Sequence, residues 1–206
     1  MRLQENQQLQ VLSGLSVAIL VADGFEQAEL SGPRYALEAA GATTSIVSPR
    51  SGTIRGRNQD QEGDEIEVSL AIAASSPQDF DALLLPGGEL NGRRMHGNIE
   101  AQQFVQEMQA AGKPIAAISH GSSLLISAGI ARGHVLTGAP GLQQAARAAG
   151  ATWADQAVVV DGNLVSSRGA QDLPAFNEAA VDVLRRRVAS SVAGTDDETL
   201  GSGSGS

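Results

Sequence analysis

Five short apolar runs, most of them rich in β-branched residues, punctuate the chain: Leu15 to Ala22, Thr43 to Ser48, Ala82 to Leu85, Pro114 to Ile118 and Ala157 to Val160. Stretches with helical spacing separate them. Leu30, Pro33 and Leu37 fit one helix face, Ala101, Phe104, Val105 and Met108 a second, and Leu173, Phe176, Ala180, Val183 and Leu184 a third. Glycine or a basic cluster follows each, as at helix ends. Strands that alternate with helices require a parallel sheet covered on both faces, because each crossover passes over one face of the sheet.

The expected fold is therefore α/β, a flavodoxin-like three-layer α/β/α sandwich with a mainly parallel sheet, in which ligands sit beyond the carboxyl ends of the strands. Two segments break the alternation. Gly52 to Ala74 is turn-rich and then carries Ile66, Val68 and Leu70 at period two, which predicts a hairpin excursion beside the sheet. Val158 to Val165 predicts a second hairpin, with Asp161-Gly162 suited to a tight turn with positive φ. There is no internal repeat.

At 206 residues, 42% of them apolar, the chain is long enough for one well-packed domain and short for two. That domain is expected over 14–188, after a polar, Gln-rich extension at 1–13 and before a flexible tail at 189–206, whose last six residues, 201–206, read as a Gly-Ser linker. The formal net charge is −9, and Lys113 is the single lysine among 14 basic residues. That balance argues against nucleic acid and anionic membrane as partners. The start lacks the basic and apolar segments of a signal peptide, no apolar run reaches the length of a membrane span, and cytoplasm is the expected compartment.

The chain has no cysteine, so its chemistry runs on oxygen and nitrogen groups. His96 and His134 are isolated; no metal site and no cofactor are expected. Arg185 to Arg187 fit a helix C-terminus on a solvated face.

Three loops should meet at the carboxyl edge: Asp23 to Glu29, Pro86 to Gly92, and Ser119 to Gly121. Ser119-His120-Gly121 follows an apolar strand and leads into the helical stretch Ser123 to Ala128, which mounts Ser119 where a nucleophile usually sits. Backbone N–H groups of Gly87 and Gly88 could join that of His120 in cradling an oxyanion, although ending a strand is the commoner job of a Pro-Gly-Gly turn. Glu26 reads as a carboxylate that complements the helix dipole. Glu29, one turn into the helix, could do the same or point back towards Ser119 as a proton donor or acceptor. His120 is a candidate base, but adjacent residues in a strained turn usually point apart, which favours a packing role.

Ala18 to Glu26 with Glu29, Asp81 to Gly88, Gly112 to Gly121, and Val165 to Arg168 with Asp172 to Phe176 together resemble the PfpI family, the intracellular-protease and deglycase or glyoxalase branch of the class I glutamine amidotransferase-like superfamily. The resemblance spans roughly residues 15 to 187. It implies a homodimer, often assembled into a hexamer, acting on a small carbonyl or peptide-like substrate. It also implies a cysteine nucleophile at the position of Ser119, its following histidine at His120, its acid at Glu29, and oxyanion donors at Gly87, Gly88 and His120.

Three departures cluster on this site: Ser119 for the cysteine, Gly92 where a neighbouring subunit's acid is expected, with only Glu89 nearby, and Ser122 for a proline. A single exchange would change only the first, so the three together point to divergence; the Gly-Ser tail leaves an introduced exchange at position 119 open. Three functions follow. The chain is a protease- or glyoxalase-like stress protein with weak or absent cysteine-type activity, or a non-catalytic oligomer that binds a small carbonyl or carboxylate, or a purely structural assembly with a filled pocket.

Overall fold

The computed structural model describes residues 10–195. In chain order the elements are β1 (Ser16–Leu20), β2 (Phe25–Glu26), α1 (Gln27–Ala39), β3 (Thr43–Ser48), β4 (Thr53–Asn58), β5 (Gln61–Glu67), β6 (Leu70–Ala71), β7 (Ala82–Leu85), α2 (Glu89–His96), α3 (Ile99–Ala110) and β8 (Ile115–Ile118). There follow α4 (Ser122–Ser127), β9 (Val135–Leu136), α5 (Gln143–Ala148), β10 (Thr152–Trp153), β11 (Val158–Asp161), β12 (Leu164–Ser167) and α6 (Leu173–Thr195). Seven strands form the central sheet in the order β11-β12-β8-β7-β1-β3-β6. Every pairing in it is parallel except that of the edge strand β11 with β12.

The uniform apolarity of the inner strands follows from burial on both faces. Every residue of β7 and β8 is buried, and alternate side chains enter different cores. Leu83, Leu85, Ile115 and Ala117 join Phe104, Val105 and Met108 of α3 on one face. Leu84, Ala116 and Ile118 join Leu30 and Leu37 of α1 and Phe176 and Ala180 of α6 on the other. This is the expected three-layer sandwich. From β1 the chain passes to β3 on one side and later returns to β7 on the other. The crevice beyond β1 and β7 is thus the topological switch point where such sheets take ligands.

Four local expectations need correction. The domain does not begin at 14: Leu12 is fully buried in the α1/α6 core and its N–H donates to Ala40 O at 2.8 Å, so an apolar side chain in a polar stretch anchors residues 10–13. Arg185 to Arg187 do not end a helix, because α6 continues to Thr195; the expected boundary at 188 and the first part of the expected tail lie inside that helix, and 1–9 and 196–206 lie outside the described residues. The period-two run after Gly52 is split. Ile66 belongs to the β4/β5 hairpin, whereas Leu70 is in β6, which pairs with β3 at the edge of the central sheet and leaves Leu70 exposed. The second hairpin forms as expected, β11 antiparallel to β12 with a positive φ at Gly162 (+61°), but Asp161 pairs with Leu164, so the turn is Gly162-Asn163 and not Asp161-Gly162. Glycine first in a two-residue loop is the type II′ arrangement.

Leu12→Ala should cost about 2–5 kcal/mol of unfolding free energy in a denaturant titration, the range for emptying a fully buried leucine site; an unchanged midpoint would place residues 10–13 outside the cooperative unit.

Candidate active site

β8 ends in extended backbone at Ile118 (φ −120°, ψ 138°), and Ser119 then turns at φ +56° into a 3-10 turn that leads to α4. Among the described residues only Gln59 shares that left-handed region without being glycine. Such a conformation costs a non-glycine residue of order 1–3 kcal/mol and persists where packing over-determines it. Packing does so here through Gly87. A β-carbon at position 87 would fall 1.9 Å from Glu29 Oε2 and 2.7 Å from Ser119 Cβ, so the absent side chain is what lets the acid and the elbow approach each other.

Glu29 lies in the first turn of α1 and is 4% exposed. Its Oε2 has no hydrogen-bond partner. Burial, with the nearby charge of Glu26, pushes its pKa up to about 7, against the opposing effects of the Ala170 backbone N–H and the Ser119 hydroxyl. Its carboxyl lies beside Gly87 and Ser119, on the elbow side of the first turn. Glu26 makes no side-chain cap; its Oε2 accepts the N–H of Gln59 at 3.3 Å, and it lines the cleft.

His120, half-buried, does not point away from its neighbour as adjacency suggested: its Nδ1 lies 3.5 Å from Ser119 Oγ, and both line one cleft. Burial holds its imidazole pKa below the usual value; Glu89 acts against this and Arg93 with it. Gly88, at φ +96°, also lines the cleft at the start of α2. The carbonyl of Gly87 accepts from Glu26 N–H and Asn91 Nδ2.

The cleft has a volume of about 490 Å³. Its outer wall was not legible in the sequence: Arg57, Gln59 and Asp60 reach it from the tip of the β4/β5 hairpin, because β2 pairs with β4 and carries the hairpin over the loop after β1. Asn91, also missed, is buried and braces two loops at once. Its Oδ1 accepts Ala22 N–H at 2.8 Å, and its Nδ2 donates to Pro86 O at 2.9 Å and to Gly87 O at 3.1 Å. No periodicity marks such a residue.

Gly92 is sealed inside the chain. A β-carbon there would lie 2.8 Å from His120 Cβ and 2.9 Å from His120 O, which leaves no room for an acid. Glu89 lines the cleft instead, paired with Arg93. Ser122, at the position where a proline was expected, donates its hydroxyl to Thr137 O at 3.1 Å. Among the described residues no cluster of histidine, aspartate and glutamate is arranged to hold a metal, and no helix is long and apolar enough to cross a membrane.

A left-handed elbow at the carboxyl edge of a parallel sheet, with an acid from the first helix buried behind it, defines an α/β protein of the nucleophile-elbow class. Within that class the chain belongs to the DJ-1/PfpI family, whose profile matches residues 15–183. It is 40% identical over 171 residues to a deglycase of Pyrococcus abyssi, covering 83% of this chain and 100% of that one. It is 36% identical to protein/nucleic acid deglycase 2 of Escherichia coli over 82% of this chain and 96% of that one. Among solved structures, the DJ-1/ThiJ/PfpI-like and ferritin-like two-domain protein of Anabaena variabilis superposes with a TM-score of 0.77 at 32% identity, over 82% of this chain and 48% of that longer chain.

The buried acid sets a pH dependence. In the unfolded chain Glu29 ionises near 4.5, but in the folded protein it holds its proton to about 7. The folded state therefore binds more protons between those values, and stability falls as pH rises through that window. Relative to Glu29→Gln, which has no charge to bury, the wild-type unfolding free energy should drop by about 3 kcal/mol between pH 4.5 and pH 8; parallel pH profiles would show that the carboxyl is solvated.

Proposed function

We propose that this chain is a deglycase- or glyoxalase-type DJ-1/PfpI protein whose cleft receives a small carbonyl compound at Ser119, with a hydroxyl where the family's cysteine enzymes present a thiolate. The observation that carries this reading is the juxtaposition of Ser119, at φ +56°, with a buried carboxyl whose pKa is about 7. A base poised near neutrality is matched to moving a proton at working pH. In the step considered, Ser119 Oγ bonds to the carbonyl carbon, its proton passes to the Glu29 carboxylate, and the carboxyl returns a proton to the carbonyl oxygen. The product is a hemiacetal with no net change in protons. Backbone N–H groups of Gly87, Gly88 and His120 are the candidate donors to the developing oxyanion.

Oxygen limits the rate. A thiol with a pKa near 8.5 reaches the thiolate at a helix N-terminus, whereas a serine hydroxyl ionises only as it reacts. Weak turnover is the consequence, and protease activity is the less favoured branch because the acid expected at position 92 has no space. The names of the relatives, deglycases in both cases, support the carbonyl branch. We infer a homodimer or hexamer from the family resemblance and a cytoplasmic location from the sequence pattern of the N-terminal residues.

One observation favours a second reading, a ligand-binding oligomer without turnover. The Ser119 Oγ to His120 Nδ1 separation of 3.5 Å is long for a hydrogen bond, so His120 is not tightly seated on the hydroxyl as a base.

Methylglyoxal consumption by the wild type and by Ser119→Cys, with intact mass recorded on both, separates the readings. The carbonyl-enzyme reading expects a gain of roughly a hundredfold or more on restoring sulfur. No turnover by either protein, with methylglyoxal still bound in the cleft, would establish the ligand-binding reading instead.

A further inference from the structure

The same carboxyl edge carries a second concavity, of about 360 Å³, beyond the ends of β1 and β3. Buried Ala22 and Ser48 contribute to its lining, as do Arg50, from the turn after β3, and Arg94, from α2. Both guanidiniums converge on one carboxylate. Arg50 Nη2 lies 2.6 Å from Asp23 Oδ2 and Arg94 Nη1 lies 3.3 Å from the same oxygen. The other carboxylate oxygen of Asp23 is occupied by Arg55 N–H at 3.0 Å.

This charge ratio is the reverse of the other arginine clusters among the described residues. Arg55 is paired with both Glu62 and Glu65, and Arg168 with both Asp155 and Asp172. At Asp23 two cations share one anion, which leaves a net positive charge at a concave site in a chain whose overall formal charge is −9. The guanidiniums also keep donors to spare. Each has five N–H groups, of which Arg50 is seen to use one, from Nη2 to Asp23, and Arg94 only those of Nη1, which faces Asp23 O and Oδ2. Their side chains remain 68% and 46% exposed.

We propose that this concavity binds a phosphate group. Phosphate has enough acceptor oxygens to engage two separate guanidiniums at once, and its charge of about −1.5 to −2 at pH 7 answers the excess that Asp23 leaves uncovered. The volume exceeds that of the ion itself and lies within the range of small-molecule sites, so a phosphate monoester fits as well as the free ion. Asp23 is at once the competitor for the arginines and the neighbour of Gly24, which lines the active-site cleft. The site is nonetheless independent of Ser119 and of the carbonyl chemistry.

The test is a titration of the isotope-labelled full chain, followed by amide chemical shifts, with inorganic phosphate, with phenyl phosphate and with acetate. Saturable shifts centred on Asp23, Arg50 and Arg94 are expected with the two phosphates and not with acetate; tighter binding of one phosphate than the other identifies the free ion or the monoester as the natural form. Arg50→Gln and Arg94→Gln should each weaken binding by about fivefold, and Ser119→Ala should leave it unchanged. Asp23→Asn, whose amide oxygen still accepts the Arg55 N–H, should tighten binding by a similar factor, a direction that damage to the fold does not produce. Absence of saturation, affinity unchanged in the double arginine variant, weaker binding by Asp23→Asn, or shifts centred on Arg57 and Arg93 would each overturn the proposal.

Discussion

The close approach of Glu29, Gly87 and Ser119 is the constraint around which the rest of the active site is arranged. Three segments distant in sequence meet there: the first turn of α1, the turn after β7 and the elbow after β8. Each is held by backbone geometry that tolerates little change. The elbow needs a left-handed serine, the turn needs a residue with no β-carbon, and the acid has to leave water. Burying an unpaired carboxyl is costly, and the protein lowers that cost by letting Glu29 keep its proton to about pH 7. The same desolvation weakens the fold as pH rises from 4.5 to about 7 and brings the titration of this carboxyl close to neutrality.

On the function proposed above, a serine at the elbow asks more of this acid than a cysteine would, because the carboxylate has to take up the hydroxyl proton during the reaction whereas a thiolate would already be formed. Two neighbouring residues are held in the packing of the elbow: Gly92 lies against His120 with no room for a β-carbon, and Ser122 fastens the start of α4 to Thr137.

The loop after β1 joins the two concave sites of the carboxyl edge. Asp23 draws Arg50 and Arg94 together on one side and holds the β4/β5 hairpin through Arg55 on the other, and Gly24 and Glu26 face the active-site cleft. Asn91 fixes that loop to the Pro-Gly-Gly turn. The cleft therefore has a floor of strand ends and a wall supplied by an excursion outside the central sheet.

The layer order and the location of the elbow were legible in the sequence, because β-branched runs such as Ala82 to Leu85 and helix faces such as Phe104, Val105 and Met108 report burial through their own periodicity. Glu29 was legible as a candidate because a helix start one turn from a strand end has a known direction. Leu12 and the placement of the turn at Gly162-Asn163 were misread because each depends on a partner distant in sequence or on register, which composition does not encode, and the continuation of α6 was misread because a basic run was taken as a helix end. The sequence by itself determined a doubly covered parallel sheet with Ser119 mounted at its edge, since strand and helix periods are local properties of the chain. Only the tertiary structure decided that Glu29 is buried against Ser119, that Asn91 and the hairpin tip complete the cleft, and that two arginines share Asp23, because burial and charge pairing are properties of segments brought together by folding.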